Sequence, residues 1–228
     1  MKRWTLTFAV VGALAVAACG GKGGDAGGAG GAAPAGEGAG AAPAGAGAGF
    51  DKATTKKIVD AVSFEGWERG LANSDDMGFT LSFKGPKNDR DANINLLIGG
   101  MNCMASMCAE LKADVWKKNE PSLKGKLSQA VAESPDLVFA IDEVDLDGKK
   151  AVGVYMLGYV ETKASEGGTS RASAHMYDLY WHDGQKLVTV SASASAWPQS
   201  RAELETKVTK DELKSAAEFT MKAIFAKM

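Results

Sequence analysis

Apolar and polar residues alternate along six segments of the chain, as they do in strands whose two faces meet different surroundings. These predicted strands are 78–84, 92–99, 137–146, 149–161, 171–182 and 185–197. The last four form two pairs, separated by Asp147-Gly148 and by Asp183-Gly184. An Asp-Gly dipeptide between alternating runs is typical of a β-hairpin, because both residues tolerate the backbone of a tight turn. The pattern therefore predicts two hairpins and two earlier strands.

Apolar residues at helical spacing predict a helix at the C-terminal end of the chain. This apolar stripe comprises Leu213, Ala216, Ala217, Met221, Ile224, Phe225 and Met228. Thr209 and Glu212 precede it as a T-x-x-E capping box, which indicates where the helix begins.

Two shorter helical segments are predicted between the early strands and the first hairpin. One covers 107–118 and ends before Pro121, and a short piece follows over 123–131. Residues 52–70 are ambiguous, and no element is predicted there.

The faces of two predicted strands differ in how much cover they need. In 151–160 both faces carry large apolar residues, whereas in 187–195 Val and Ala on one face alternate with Thr and Ser on the other. A strand that is apolar on both faces needs cover on both. We therefore predict an α+β fold, with an antiparallel sheet built largely of hairpins, helices packed on it and its centre covered.

The predicted order of strand, strand, helix, two hairpins and helix resembles that of Mog1/PsbP-like domains, over most of residues 60–228. The resemblance implies an α/β/α sandwich. Because members of that group are mostly accessory or binding proteins, it also implies a non-enzymatic domain, and we expect no cofactor.

The first eighteen residues have the layout of a secretory signal peptide, in which Lys2 and Arg3 precede an apolar run over 6–18. That run is too short to cross a bilayer as a helix, which needs about 20 apolar residues. Val16-Ala17-Ala18-Cys19 resembles the lipobox of bacterial lipoproteins. The resemblance implies cleavage before Cys19 and an acylated N-terminus with three chains, which is enough for stable membrane attachment.

The residues after the lipobox predict the membrane in which the protein is anchored and a flexible tether. An Asp after the cysteine marks inner-membrane retention in Gram-negative lipoproteins, so Gly20 favours the outer membrane. Of the 30 positions in 20–49, 27 are Gly, Ala or Pro, a composition that cannot form a core. We therefore expect a signal peptide over 1–18, the lipidated cysteine and a flexible tether over 19–49, and one domain over 50–228.

Net charge limits the choice of partner. The formal net charge is −2, and no basic residues cluster in the predicted domain. Nucleic acids bind mainly through basic surfaces, so we expect no nucleic-acid partner. The expected partners are a membrane, through the lipid anchor, and an envelope protein or small ligand.

Cys103 and Cys108 are the two cysteines of the predicted domain. In the oxidising compartment of an exported protein, such a pair predicts a disulfide. Residues five apart in a regular helix or strand lie too far apart for that bond. The chain is therefore expected to turn between them, with a strand ending near Gly100 and a helix starting near Ser106.

The same segment offers a different chemistry. Met101, Met104 and Met107 surround the cysteines, and thioether and thiolate ligands suit Cu(I). One possibility is therefore a Cu(I) site formed by these three methionines with Cys103 and Cys108. The other is a disulfide between the cysteines, with the methionines filling gaps in the core. Oxidised cysteines cannot bind the metal and no histidine is near in sequence, which favours the disulfide.

Candidate catalytic and calcium-binding residues are few. His175 and His182, seven apart in one predicted strand, point to opposite faces of the sheet. The serines of the next strand (Ser191, Ser193 and Ser195) have two interpretations. One of them could pair with His175 in a hydrolase, or the row could simply be the solvent-exposed face of that strand.

The acidic residues of 143–148 superficially resemble a calcium loop, but a hairpin turn explains them better.

The sequence thus predicts a membrane-anchored envelope lipoprotein whose non-enzymatic domain binds a protein or small ligand. The alternatives are an envelope enzyme without a visible motif and a soft-metal binder.

Overall fold

The computed structural model describes residues 50–75, 78–84, 92–103, 108–124, 129–132, 134–163, 169–196 and 200–228. All of them lie in the unit that runs from Ala46 to Met228. The predicted signal peptide, Cys19 and the predicted tether lie outside the described residues and stay predictions.

The described helices and strands alternate in blocks along the chain. In order they are α1 (Lys52–Ala61), β1 (Glu68–Asp75), β2 (Gly78–Lys84), β3 (Ala92–Asn102), α2 (Ala113–Lys118), α3 (Glu120–Lys124), α4 (Gln129–Ala132), β4 (Val138–Leu146), β5 (Lys149–Lys163), β6 (Thr169–His182), β7 (Lys186–Ala196), α5 (Arg201–Lys207) and α6 (Lys210–Phe225).

The strands form one antiparallel sheet in the order β1-β2-β3-β7-β6-β5-β4. The chain leaves β3 in the middle of the sheet, passes through α2–α4 and returns at the edge strand β4. From there it comes back strand by strand to β7 beside β3. This arrangement confirms the predicted α+β fold, with an antiparallel sheet and helices packed on it.

Helices cover both faces of the sheet. On one face α1, α5 and α6 bury a core that includes Tyr155 and Leu157 of β5. On the other face Ala113 and Trp116 of α2 pack on Val152 and its neighbours. All residues of 151–158 are buried, which confirms that β5 needs cover on both sides.

A glycine of β5 lets α4 approach the sheet on the α2 side. A Cβ at Gly158 would lie 2.6 Å from Cγ1 of Val131, so α4 packs where the strand has no side chain.

On β7 the helices cover the two faces unequally. There Val188 and Val190 are buried, while Thr189 on the α2 side is half-buried, as the sequence predicted.

Both predicted hairpins are present. Asp147 and Gly148 adopt φ of 57° and 84°, the left-handed backbone that a tight hairpin turn requires. In the second turn, the Asp183 carboxylate accepts hydrogen bonds from the backbone N–H groups of Gln185 and Lys186, at 2.8 and 2.7 Å. Side chain–backbone bonds therefore fix both the position and the register of the second hairpin.

The carboxylates of the first hairpin have local partners in place of a calcium ion. Gly148 N–H donates to Asp145 at 2.7 Å. Glu143 pairs with Lys150, and Asp147 with Lys222 of α6, each at 2.8 Å. These contacts support the hairpin interpretation of residues 143–148.

The C-terminal helix begins at the predicted capping box. Glu212 N–H donates to the Thr209 hydroxyl at 3.2 Å, and Thr209 N–H donates to the Glu212 carboxylate at 2.8 Å. Most of the predicted apolar stripe is buried against β6 and β7. Met228 was wrongly included, because it lies beyond the helix end and is 52% exposed.

The helix predicted over 107–118 is interrupted. Residues 108 and 109 are helical, but Lys112 has the extended angles φ −134° and ψ 141°, and α2 starts only at Ala113. The interruption lets Leu111 enter the core under α2. The predicted start near Ser106 lies outside the described residues.

The described residues of the piece predicted over 123–131 are helical. They belong to α3, which starts at Glu120 and ends at Lys124, and to α4, while 125–128 lie outside the described residues. Pro121 is the second residue of α3, where its missing N–H would have no partner in the helix. Within the described residues, no helix combines the length and apolar character needed to cross a membrane.

Replacing Thr209 with Ala should lower the free energy of unfolding by about 1 kcal/mol, because it removes the side-chain cap of α6. Urea unfolding of the full chain measures the change. Thr206→Ala, on the exposed side of α5, is the matched control and should change stability little. Equal stability of the two variants would contradict a structural role for the cap.

Candidate functional site

Asp178 is a buried acidic side chain at the centre of the sheet, on the face that α2 covers. It lies on β6 opposite Ser191 of β7 and is only 9% exposed. Its Oδ2 accepts a hydrogen bond from the Tyr180 hydroxyl at 3.2 Å. No described residue donates to Oδ1 within normal hydrogen-bond geometry. Burying a charged carboxylate with one oxygen that accepts no hydrogen bond costs free energy.

The surroundings of Asp178 favour its neutral form. Burial raises the pKa of Asp178 to about 6, although the hydroxyls of Ser191 and Tyr180 favour the charged carboxylate. Burial also raises the pKa of Tyr180 well above its ordinary value, with a further contribution from the Asp178 charge. The Tyr180 ring packs against Trp116 of α2 at 4.7 Å between centroids, which keeps water from one side of the pair.

His175 lies on β6 as well, but on the opposite face. It is 2% exposed, and its Nε2 lies 3.2 Å from the Tyr155 hydroxyl. Burial lowers the pKa of His175 to about 4, and the opposing influences of Glu205 and the Leu204 backbone do not overcome it. The imidazole is therefore neutral at physiological pH.

The hydrolase alternative fails on this geometry. His175 packs beneath α5 and α6, whereas Ser191 and Ser193 lie on the α2 side of β7, where Ser191 is opposite Asp178 and Ser193 opposite Met176. The sheet separates the proposed base from its proposed nucleophile. The side chain of Ser195, the third proposed nucleophile, lies outside the described part of the structure.

A second cluster forms where β3 ends. The Cα atoms of Cys103 and Cys108 are 6.0 Å apart, within the range of a disulfide. Cys103 follows the strand end at Asn102, and its N–H donates to the carbonyl oxygen of Gln185 at 2.6 Å. The pair is therefore held against the turn between β6 and β7, and the strand continues two residues beyond the predicted end near Gly100.

This cluster includes a histidine that the sequence analysis placed elsewhere. One ligand atom from each of Cys103, Cys108 and His182 lies within 4.8 Å of the others. The strand order brings His182 to the cysteines. Met101 of β3 is opposite Leu187 of β7, and Leu187 is in turn opposite His182 of β6. No local sequence pattern could have predicted it. Met104 and Met107 of the proposed Cu(I) site lie outside the described residues.

The third feature is a groove of about 470 Å³ between the segment after α1 and the start of α6. We call it the α6 groove. It is lined by Ser63, Phe64, Glu65, Trp67, Ile94, Asp211, Glu212, Ser215, Ala216 and Phe219. Phe219 is 45% exposed, although most large apolar side chains of α6 are buried. This groove could not be predicted from the sequence, because its lining comes from three separate segments.

Comparisons with known proteins add little to these observations. No protein-family model matches the chain, and no curated protein matches it. Among solved structures, the lipid transfer and protein localization domain of human StarD13 (DLC2) is similar at 12% identity. The match covers 77% of this chain and 92% of that domain, with a TM-score of 0.24. At that score the similarity carries no argument about fold or function.

Replacing Asp178 with Asn should stabilise the protein at pH 8 and leave its stability near pH 4 unchanged. The carboxyl has a pKa of about 6 when folded and 3.8 as a free side chain, so folding is penalised above pH 6 and the penalty is relieved as the pH falls to 4. The gain at pH 8 should be at most about 3 kcal/mol.

Urea unfolding at both pH values measures this difference. Asp136→Asn, at an exposed position, is the matched control and should show no comparable gain. If Asp178→Asn destabilises the protein at pH 8, the carboxylate must have a charged partner that the described residues do not include.

Proposed function

We propose that this protein is a lipoprotein of the bacterial envelope whose non-enzymatic domain binds a cationic segment of a partner protein. The binding place is the α6 groove. The observation that carries the proposal is Phe219, an exposed aromatic side chain in a groove flanked by carboxylates.

The N-terminal residues support attachment to a membrane. Val16–Cys19 resembles a lipobox and follows a short apolar run, and Gly20 favours the outer membrane. A flexible segment of the length of 20–49 spans about 30 Å on average. A domain held in this way would meet partners in or near the same membrane.

The aromatic side of the groove is preorganised. The Phe64 ring packs on Phe83 with centroids 4.5 Å apart, and on Phe219 at 5.8 Å. Phe83 is fully buried in the core, so the half-buried Phe64 ring and the exposed Phe219 ring rest on a fixed support. A partner that covers the rings gains the free energy of burying apolar surface without first ordering them.

The acidic side of the groove selects the charge of the partner. Glu65, Asp211 and Glu212 line it together with the aromatic rings. Glu212 is already engaged in the cap of α6, which leaves Glu65 and Asp211 as the principal pairing groups. A Lys or Arg side chain beside them would also lie near an aromatic face, which adds about 0.5–2 kcal/mol.

The composition of the groove favours binding over catalysis. Its ten lining residues include no histidine, cysteine or lysine. The buried groups Asp178 and His175 are not among them. Aromatic rings and carboxylates, with two serines and two aliphatic side chains, form a surface suited to recognition of an apolar and cationic partner.

A photo-reactive amino acid at Ser215, an exposed residue of the groove, should form a crosslink with an envelope protein in cells that produce the full chain. Adding Glu65→Lys or Asp211→Lys should reduce the crosslink at least about tenfold, because a cationic segment is then repelled. Quantitative immunoblotting of the adduct measures the yield.

The same photo-reactive residue at Thr206, exposed on α5, is the control and should not give this adduct. Equal adducts from both positions, or a yield unchanged by charge reversal, would contradict the proposed groove. Melting curves of the charge variants must match the wild type for the comparison to count.

Replacing Cys19 with Ala should prevent lipidation and leave an unprocessed or released protein, because the thiol that accepts the lipid is gone. Detergent phase partitioning and membrane fractionation measure the change. Gly20→Asp, which keeps the cysteine, should stay membrane-bound but shift toward the inner membrane. A Cys19→Ala protein that fractionates with the outer membrane as the wild type does would show that the lipoprotein assignment is wrong.

A further inference from the structure

We infer that Cys103, Cys108 and His182 form a Cu(I) site when the cysteine pair is reduced. The site lies at the end of the sheet where β3 meets the turn between β6 and β7. It is separate from the α6 groove and uses none of its residues.

The three side chains are close enough to reach one ion once the disulfide is reduced. Their ligand atoms lie within 4.8 Å of one another. Bonds of about 2.0–2.3 Å to sulfur and nitrogen place ligand atoms about 3.5–4 Å apart. The two sulfur atoms, which are bonded to each other in the disulfide, must therefore separate by side-chain rotation after reduction. The backbone need not move, because the two cysteine Cα atoms are 6.0 Å apart and the Cys103 N–H is fixed to Gln185.

Burial and orientation also suit a metal site. Cys108 is 4% exposed, while Cys103 and His182 are half-buried, so the cluster is sheltered yet can be reached from solvent. The Gly184 N–H donates to Nδ1 of His182 at 3.1 Å, which orients the ring. That hydrogen bond is given up when the metal binds, because either Nδ1 donates its lone pair to the ion, or Nε2 does so and the imidazole proton moves to Nδ1.

The donor set favours a soft ion. Two thiolates and an imidazole suit both Zn²⁺ and Cu(I), so a further donor decides between them. Met101 lies on β3 two residues before Cys103, and both side chains pack on the same apolar cluster. A thioether is a Cu(I) ligand, whereas structural zinc sites use thiolate, imidazole or carboxylate.

The oxidation state of the cysteines controls the site. A disulfide occupies both sulfur atoms and cannot supply thiolates. Thiol–disulfide exchange with a dithiol breaks the Cys103–Cys108 bond, gives each sulfur one hydrogen and converts the dithiol to a disulfide. Cu(I) then binds as the two thiols release their protons.

The test is a titration of the full chain in detergent with Cu(I), without oxygen, against the coloured chelator bicinchoninate. Reduced protein should bind one Cu(I) per chain, and protein oxidised to the disulfide should bind none. Cys103→Ser or Cys108→Ser should abolish binding. His182→Gln should weaken it at least about tenfold, equivalent to about 1.4 kcal/mol.

Met228→Leu, at an exposed methionine remote in sequence, is the control and should bind Cu(I) as the wild type does. X-ray absorption of the loaded protein should show sulfur and nitrogen ligands together. Unchanged affinity in His182→Gln would overturn the site, and this variant decides the question if a serine variant fails to fold. Reduced protein that binds Zn²⁺ but not Cu(I) would also overturn it.

Discussion

The burial of β5 and β6 on both faces is the constraint on which the rest of the structure depends. Strands that are apolar on both sides cannot be stable with one layer of helices. The long helix α6 and its neighbours supply one cover, and the short helices between β3 and β4 supply the other. The segment that connects β3 in the middle of the sheet to β4 at its edge therefore also covers the second face of the sheet.

The same constraint governs the polar groups. Asp178 and His175 are three residues apart on β6, so they lie on opposite faces and each is buried beneath a different cover. Burial favours the neutral form of both, raising the pKa of the carboxyl and lowering that of the imidazole. The sheet therefore separates Asp178 from His175. The binding site and the metal site that we propose lie away from the centre of the sheet, in the α6 groove and the Cys103–Cys108–His182 cluster.

Features determined by neighbouring residues could be predicted from the sequence. The capping box at Thr209 and the Asp-Gly turns depend on short-range hydrogen bonds, and the two-sided burial of β5 follows from its composition. Features determined by distant residues could not. β1 (Glu68–Asp75) is polar and forms by pairing with β2, and His182 meets the cysteines only because β7 lies between β3 and β6.

An NMR titration of the histidine rings in the oxidised full chain tests most directly the burial of β6 beneath α5 and α6. The His175 signals, identified by their loss in His175→Gln, should show a neutral ring at pH 8 and at 6.5 and should titrate only near pH 4, because α5 and α6 exclude water from that face. Titration of His175 near its ordinary pKa of 6.5 would contradict the account, since β6 would then be open to solvent on the side that α6 is said to cover.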